Sequence, residues 1–83
     1  MTDDEAERKA LAWQCRRGMR ELDQLLERYL DRCWPALSEP TRDNFRRLLA
    51  CEDDKLWRAF LGQEPLGDAA LDDLVHTIAR LPH

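Results

Sequence analysis

The sequence predicts an all-α fold, a small compact bundle of about five short helices, and three observations carry that expectation. Apolar residues recur at helical spacing, most clearly in Leu22, Leu25, Leu26, Tyr29, Leu30 and Cys33, which fall at i, i+3, i+4, i+7, i+8 and i+11. Start and stop signals break the chain at short intervals. No segment alternates polar and apolar residues at period two for long enough to make a strand.

Each element has its own punctuation. In the first helix, Thr2 and Glu5 have the spacing of a capping box. Ala6, Ala10 and Trp13 then share a face, and the helix runs up to Cys15-Arg16-Arg17. Gly18 stands where a helix would end in a left-handed residue. The second helix begins near Met19 or Arg20 and closes at Trp34-Pro35, because the residue before proline avoids the α region. Ser38 is positioned to cap the third helix, with Pro40 tolerated in its first turn and Phe45, Leu48 and Leu49 on its buried side. Glu52-Asp53-Asp54 opens a short fourth helix carrying Leu56, Trp57, Phe60 and Leu61 and stopped at Gly62, with Trp57 expected in the core. After the Pro65-Leu66-Gly67 loop, Asp68 caps a fifth helix with Leu71, Leu74, Val75 and Ile78 on one face and Asp72-Asp73 on the polar one.

Size and charge narrow the function. Eighty-three residues make one domain, 1–83, with no repeat or linker, near the lower end of what folds alone. So small an interior favours a binding module over an enzyme. Thirteen Lys and Arg against seventeen Asp and Glu give a net charge of −4. Phosphate neutralisation by basic residues supplies most nucleic-acid affinity, so this balance argues against such a partner. A regulatory, antitoxin-like or DNA-binding module built on a helix-turn-helix is the alternative; it lacks a basic recognition helix, since the second helix carries Glu21, Asp23, Glu27 and Asp31. No apolar run nears the ~20 residues that span a bilayer. The acidic Met1-Thr2-Asp3-Asp4-Glu5 resembles neither a signal nor a transit peptide, so a cytoplasmic protein of bacterial type is expected. Cys15, Cys33 and Cys51 are odd in number with no CxxC, and His76 and His83 lie far from them, so neither metal site nor structural disulfide is expected.

Against this acidic background Arg16, Arg17 and Arg20 cluster around Gly18, with Glu21 following. Guanidinium groups fork two hydrogen bonds to a carboxylate or phosphate and so suit recognition. A local role competes with that reading, because Arg near a helix C-terminus and Glu near an N-terminus also complement the helix dipole. Trp13, one turn before the cluster, fits either core or contact surface.

The block Trp13-Gln14-Cys15-Arg16-Arg17-Gly18-Met19-Arg20-Glu21-Leu22-Asp23 resembles the signature of the succinate dehydrogenase assembly (flavinylation) factor family, in its bacterial FAD assembly factor type. The hallmark of that family, Arg-Gly-x-x-Glu (RGxxE), is matched by Arg17, Gly18 and Glu21. Phe45-x-x-Leu48-Leu49-x-Cys51-Glu52-Asp53-x-x-Leu56-Trp57 is similar to a second family block, and Pro65 with Leu71, Leu74, Val75 and Ile78 to its last helix. The resemblance implies a bundle of about five helices that acts as a chaperone-like assembly factor without turnover of its own. It implies a partner, the flavoprotein subunit of succinate dehydrogenase and in bacteria also that of fumarate reductase, whose covalent flavinylation the factor promotes. FAD would be the client's cofactor, with none bound stably by the factor, which would be monomeric when free. Carried over by position, Arg17, Gly18 and Glu21 would touch the client, flanked by Arg16 and Arg20.

Overall fold

A computed structural model describes residues 3–82, and among them it has five α-helices, one 3₁₀ turn and no strand. The expected all-α class and helix number are therefore what the chain adopts. The helices are α1 (Asp3–Gln14), α2 (Arg20–Cys33), α3 (Glu39–Leu49), α4 (Asp53–Phe60) and α5 (Ala69–Ala79). They fall into two compact units, one ending at Leu37 and the other beginning at Ser38. The capping-box residue Thr2 lies outside the described residues, as does His83.

In the first unit α1 and α2 pack together as an antiparallel pair. The Arg8 guanidinium donates to Asp31 at 2.7 Å and the Trp34 indole N–H to Asp4 at 3.3 Å, so residues early in α1 meet residues late in α2 and just beyond it. The apolar stripe of α2 buries Leu22, Leu26, Tyr29 and Leu30, with Leu25 and Cys33 half-buried. Proline supplies the stop: Pro35 tightens the chain into the 3₁₀ turn Trp34–Ala36, and Trp34 is fully buried there. The buried face of α1 differs from the face that Ala6, Ala10 and Trp13 mark. Those three are exposed, and Leu11, followed by Cys15, faces inward. Burying a leucine gains roughly 1.5–3 kcal/mol, several times what an alanine methyl offers, so Leu11 sets the rotation of the helix.

The second unit is built on α5, against which both α3 and α4 pack. Phe45, Leu48 and Leu49 of α3 and Leu71, Leu74, Val75 and Ile78 of α5 are buried, as their spacing predicts. In α4 only Leu56 is fully buried. Trp57, expected in the core, is half-buried, as is Phe60, and Leu61 is 49% exposed. Eight residues make barely two turns, so one face of α4 can bury one residue well while its neighbours remain at the edge. Gly62 ends the helix at φ +73° with the paired bonds of a Schellman cap, Gly62 N–H to Ala59 O at 3.1 Å and Gln63 N–H to Arg58 O at 2.9 Å.

The helix starts use different chemistry. Ser38 occupies the N-cap of α3, but its hydroxyl pairs with the Thr41 hydroxyl at 3.0 Å instead of a backbone amide. Asp68 is a true cap: its carboxylate accepts from the Ala70 and Leu71 amides at 3.0 and 3.2 Å and is ion-paired with Arg47. The Leu71 amide foremost, and then the Arg47 guanidinium, hold the Asp68 carboxyl below its ordinary value of 3.8. A depressed folded value stabilises the fold above the unfolded pKa, and that contribution is lost as pH falls through the folded one. Asp68→Asn should therefore be less stable than wild type at neutral pH, and the gap should close on acidification below about 3.8. Urea midpoints of the two proteins across that range check this; a gap independent of pH would mean that the carboxylate's charge contributes nothing.

Candidate functional site

The five residues singled out in the sequence, Arg16, Arg17, Gly18, Arg20 and Glu21, lie on the turn between α1 and α2 and the first turn of α2. The turn begins earlier than the glycine alone suggests, since the helix does not run on to Arg17. Helix α1 ends at Gln14, four residues before Gly18, and two further bonds bring the chain round, Cys15 N–H to Leu11 O at 3.0 Å and Arg16 N–H to Trp13 O at 3.1 Å. Gly18 then takes φ +78°, the left-handed region that costs other residues about 1–2 kcal/mol. A Cβ placed there would meet nothing within 4 Å, so backbone conformation, not space within the chain, calls for glycine.

Arg17 is held at both ends. Its backbone N–H donates to the Asp23 carboxylate at 2.7 Å, and its Nε donates to the carbonyl of Gln14 at 2.7 Å, on the last residue of α1. The second bond satisfies a carbonyl that the helix end would leave open. Arg16 is different: its side chain is 67% exposed, with the guanidinium over the Trp13 ring at 5.1 Å and 3.9 Å from Glu27. Trp13 itself is 73% exposed, which settles its face as surface. An exposed indole under a guanidinium is a cation–π pair of modest strength, about 0.5–1 kcal/mol where water reaches it.

Arg20 and Glu21 stand at the first two positions of α2, both exposed, and their side chains have no hydrogen-bonding or ionic partner among the described residues. Many other charges among the described residues are engaged, among them Arg8 with Asp31, Arg46 with Glu39, Arg47 with Asp68 and Arg58 with Asp54. The N-cap of α2 is Met19, whose side chain caps no amide. The turn thus presents an indole, two outward guanidinium groups and one carboxylate on a backbone fixed from within.

Asp23 is the residue that sequence reasoning passed over. It counted only as one of four acids on α2, yet its half-buried carboxylate organises the turn. Beneath it Cys15 is fully buried, and desolvation foremost, with the Glu27 and Asp23 charges adding to it, pushes the thiol up to about 12. At neutral pH Cys15 is a protonated, inert packing group. Cys33 and Cys51 are half-buried.

A groove of about 720 Å³ between α1 and α2 is lined by Glu5, Arg8, Lys9, Glu27, Arg28 and Asp31 among others, and none of the five turn residues borders it. Among the described residues no group of three or more His, Cys, Asp or Glu side chains could hold a metal ion, and no helix is long and apolar enough to cross a membrane.

The chain is similar to known proteins over most of its length. The family described as "Flavinator of succinate dehydrogenase" matches residues 9–82, which take in the turn and all the helices after it. The FAD assembly factor SdhE of Xylella fastidiosa (strain Temecula1) is 51% identical over 80 residues, covering 96% of this chain and 82% of the relative. The FAD assembly factor SdhE of Pseudomonas aeruginosa is 40% identical over 75 residues, 90% of this chain and 89% of its own, and that of Idiomarina loihiensis 39% over 69 residues, 83% and 77%. On the extent of these matches, from the middle of α1 to beyond the end of α5, the chain belongs to the succinate dehydrogenase flavinator family.

Proposed function

We propose that the chain promotes covalent attachment of FAD to the flavoprotein subunit of succinate dehydrogenase, and to that of fumarate reductase, by binding the subunit and holding it in a conformation competent for the linkage. The chemistry belongs to the client and its flavin. The factor acts as a chaperone-like partner in the bacterial cytoplasm, monomeric when free, with no FAD of its own and no turnover.

Membership of the flavinator family carries this reading, and the turn supports it. Among the described residues most charges are paired, whereas Arg20 and Glu21 present groups with no partner there. Guanidinium and indole are the groups in which binding energy concentrates at protein interfaces. In this reading Arg16, Arg17, Gly18, Arg20 and Glu21 form the client-facing surface: Arg16 and Arg20 offer donors to client carboxylates or carbonyls, Glu21 offers an acceptor, and bare Gly18 lets the client backbone approach. Arg17 both shapes the turn and adds donors to it.

The test is covalent flavin fluorescence of the denatured flavoprotein subunit after incubation of apo-subunit and FAD with and without this protein. A marked increase with the protein present is the expected result. An unchanged signal, together with no detectable complex between the two proteins, would remove the reading.

A further inference from the structure

Two turns of this chain have the same construction. Arg17-Gly18-Met19-Arg20-Glu21-Leu22-Asp23 leads into α2, and Leu66-Gly67-Asp68-Ala69-Ala70-Leu71-Asp72 leads into α5. In both, a left-handed glycine, at φ +78° and +86°, precedes an extended N-cap residue, at φ/ψ −117°/102° and −130°/117°. The leucine three residues into each helix is buried. In each, the aspartate at the fourth helical position turns back and accepts the amide of the residue before the glycine, at 2.7 Å in both cases. Asp72, placed by sequence among solvated charges, is thus half-buried and structural.

The two turns differ in what else holds them. At α5 the cap residue is Asp68, which takes two first-turn amides and pairs with Arg47. At α2 the cap is Met19, which takes none. The Asp23 bond thus has no clamp from the cap side chain beside it, only the Arg17 Nε bond to the Gln14 carbonyl, and it fixes the residue whose side chain and glycine neighbour lie in the client-facing surface. From this juxtaposition we infer that Asp23 is a positioning residue for flavinylation, acting through the Arg17 amide to hold the Arg17–Gly18 turn in its client-binding shape. The inference rests on the function proposed above. Asp23 touches no client group itself; its carboxylate faces inward, near enough to the buried Cys15 to bear on that thiol's ionisation.

The twin turn supplies the control. Asp23→Ala should lower the rate of covalent flavinylation about tenfold or more, the size expected for loss of a hydrogen bond to a charged group. It should also speed hydrogen exchange at the Arg17 amide. Asp72→Ala removes the matching bond from a turn outside the client-facing surface and should flavinylate like wild type. Asp23→Asn, whose carboxamide oxygen still accepts the bond, should recover most of the rate. If Asp23→Ala does not fold, Asp23→Glu poses the same question, since it keeps the charge but displaces the carboxylate, and it should lose rate. Equal rates in the Asp23 and Asp72 variants, or unchanged exchange at Arg17, would overturn the inference. Should wild type itself fail to raise flavinylation, the functional reading and the positioning role fall together. Exchange at Arg17 needs no client, so it still reports whether Asp23 holds the turn and tells the two failures apart.

Discussion

Trp34→Ala should destabilise the protein by roughly 3–5 kcal/mol, the usual cost of truncating a fully buried aromatic. Trp34 is among the largest wholly buried side chains, and its indole N–H also donates to Asp4, so truncation opens a cavity and removes a tie between α1 and the 3₁₀ turn. A chain of 83 residues has a total stability of only about 4–12 kcal/mol. The variant should therefore lose about a quarter or more of the fold's stability, and at the lower end of that range it should be unfolded at 37 °C. If it stays folded, its melting temperature should fall by about 4–8 °C for each kcal/mol lost. Thermal denaturation followed by far-ultraviolet circular dichroism measures this directly. Trp34→Phe keeps most of the buried area without the indole N–H and should retain much of the stability. A Trp34→Ala melting temperature within a few degrees of wild type would mean that the site collapses onto the cavity.

How far such expectations can be drawn from sequence depends on the range of the interaction. Helices α2, α3 and α5 were legible because branched apolar residues at 3.6-residue spacing have no favourable alternative to facing inward together. The Asp68 cap was legible because its partners lie two and three residues away and the geometry follows from helix formation alone. Helix α1 was harder. Its most conspicuous spacing, Ala6–Ala10–Trp13, involves two residues with little area to bury and one large ring that remains outside; the single leucine and the following cysteine decide the face. Trp57 was expected inside on the strength of its neighbours, but the brevity of α4 leaves it at the margin. The turn residues could be placed from their spacing, whereas the inward bonds of Asp23 and Asp72 could not. Each spans six residues to a backbone amide that becomes available only when the intervening glycine takes a positive φ. Repetition of Gly-x-x-x-Leu-Asp at both turns is the signal that could have revealed them.

The charge-reversing substitution Glu21→Arg should cut covalent flavinylation at least about tenfold while leaving the fold in place, the counterpart of Trp34→Ala. At the second position of α2 the carboxylate interacts favourably with the helix dipole, a contribution of about 0.3–1 kcal/mol that reversal forfeits. No hydrogen bond or ion pair of the side chain is lost among the described residues, so nothing larger should appear in a denaturation curve. In the complex the balance differs. Glu21 would there be desolvated against a client donor, and an arginine in its place would leave that donor unsatisfied and set like charges together, a loss of about 2–5 kcal/mol or more. The experiment compares flavin fluorescence and urea midpoints for wild type, Glu21→Ala and Glu21→Arg. A graded loss of flavinylation, larger for arginine than for alanine, with midpoints shifted by less than the dipole contribution allows, places Glu21 at the contact. A fall of several kcal/mol in stability for Glu21→Ala would make the motif a folding element, and the client-facing surface would then have to be sought among the other exposed residues of the turn, beginning with Trp13 and Arg16.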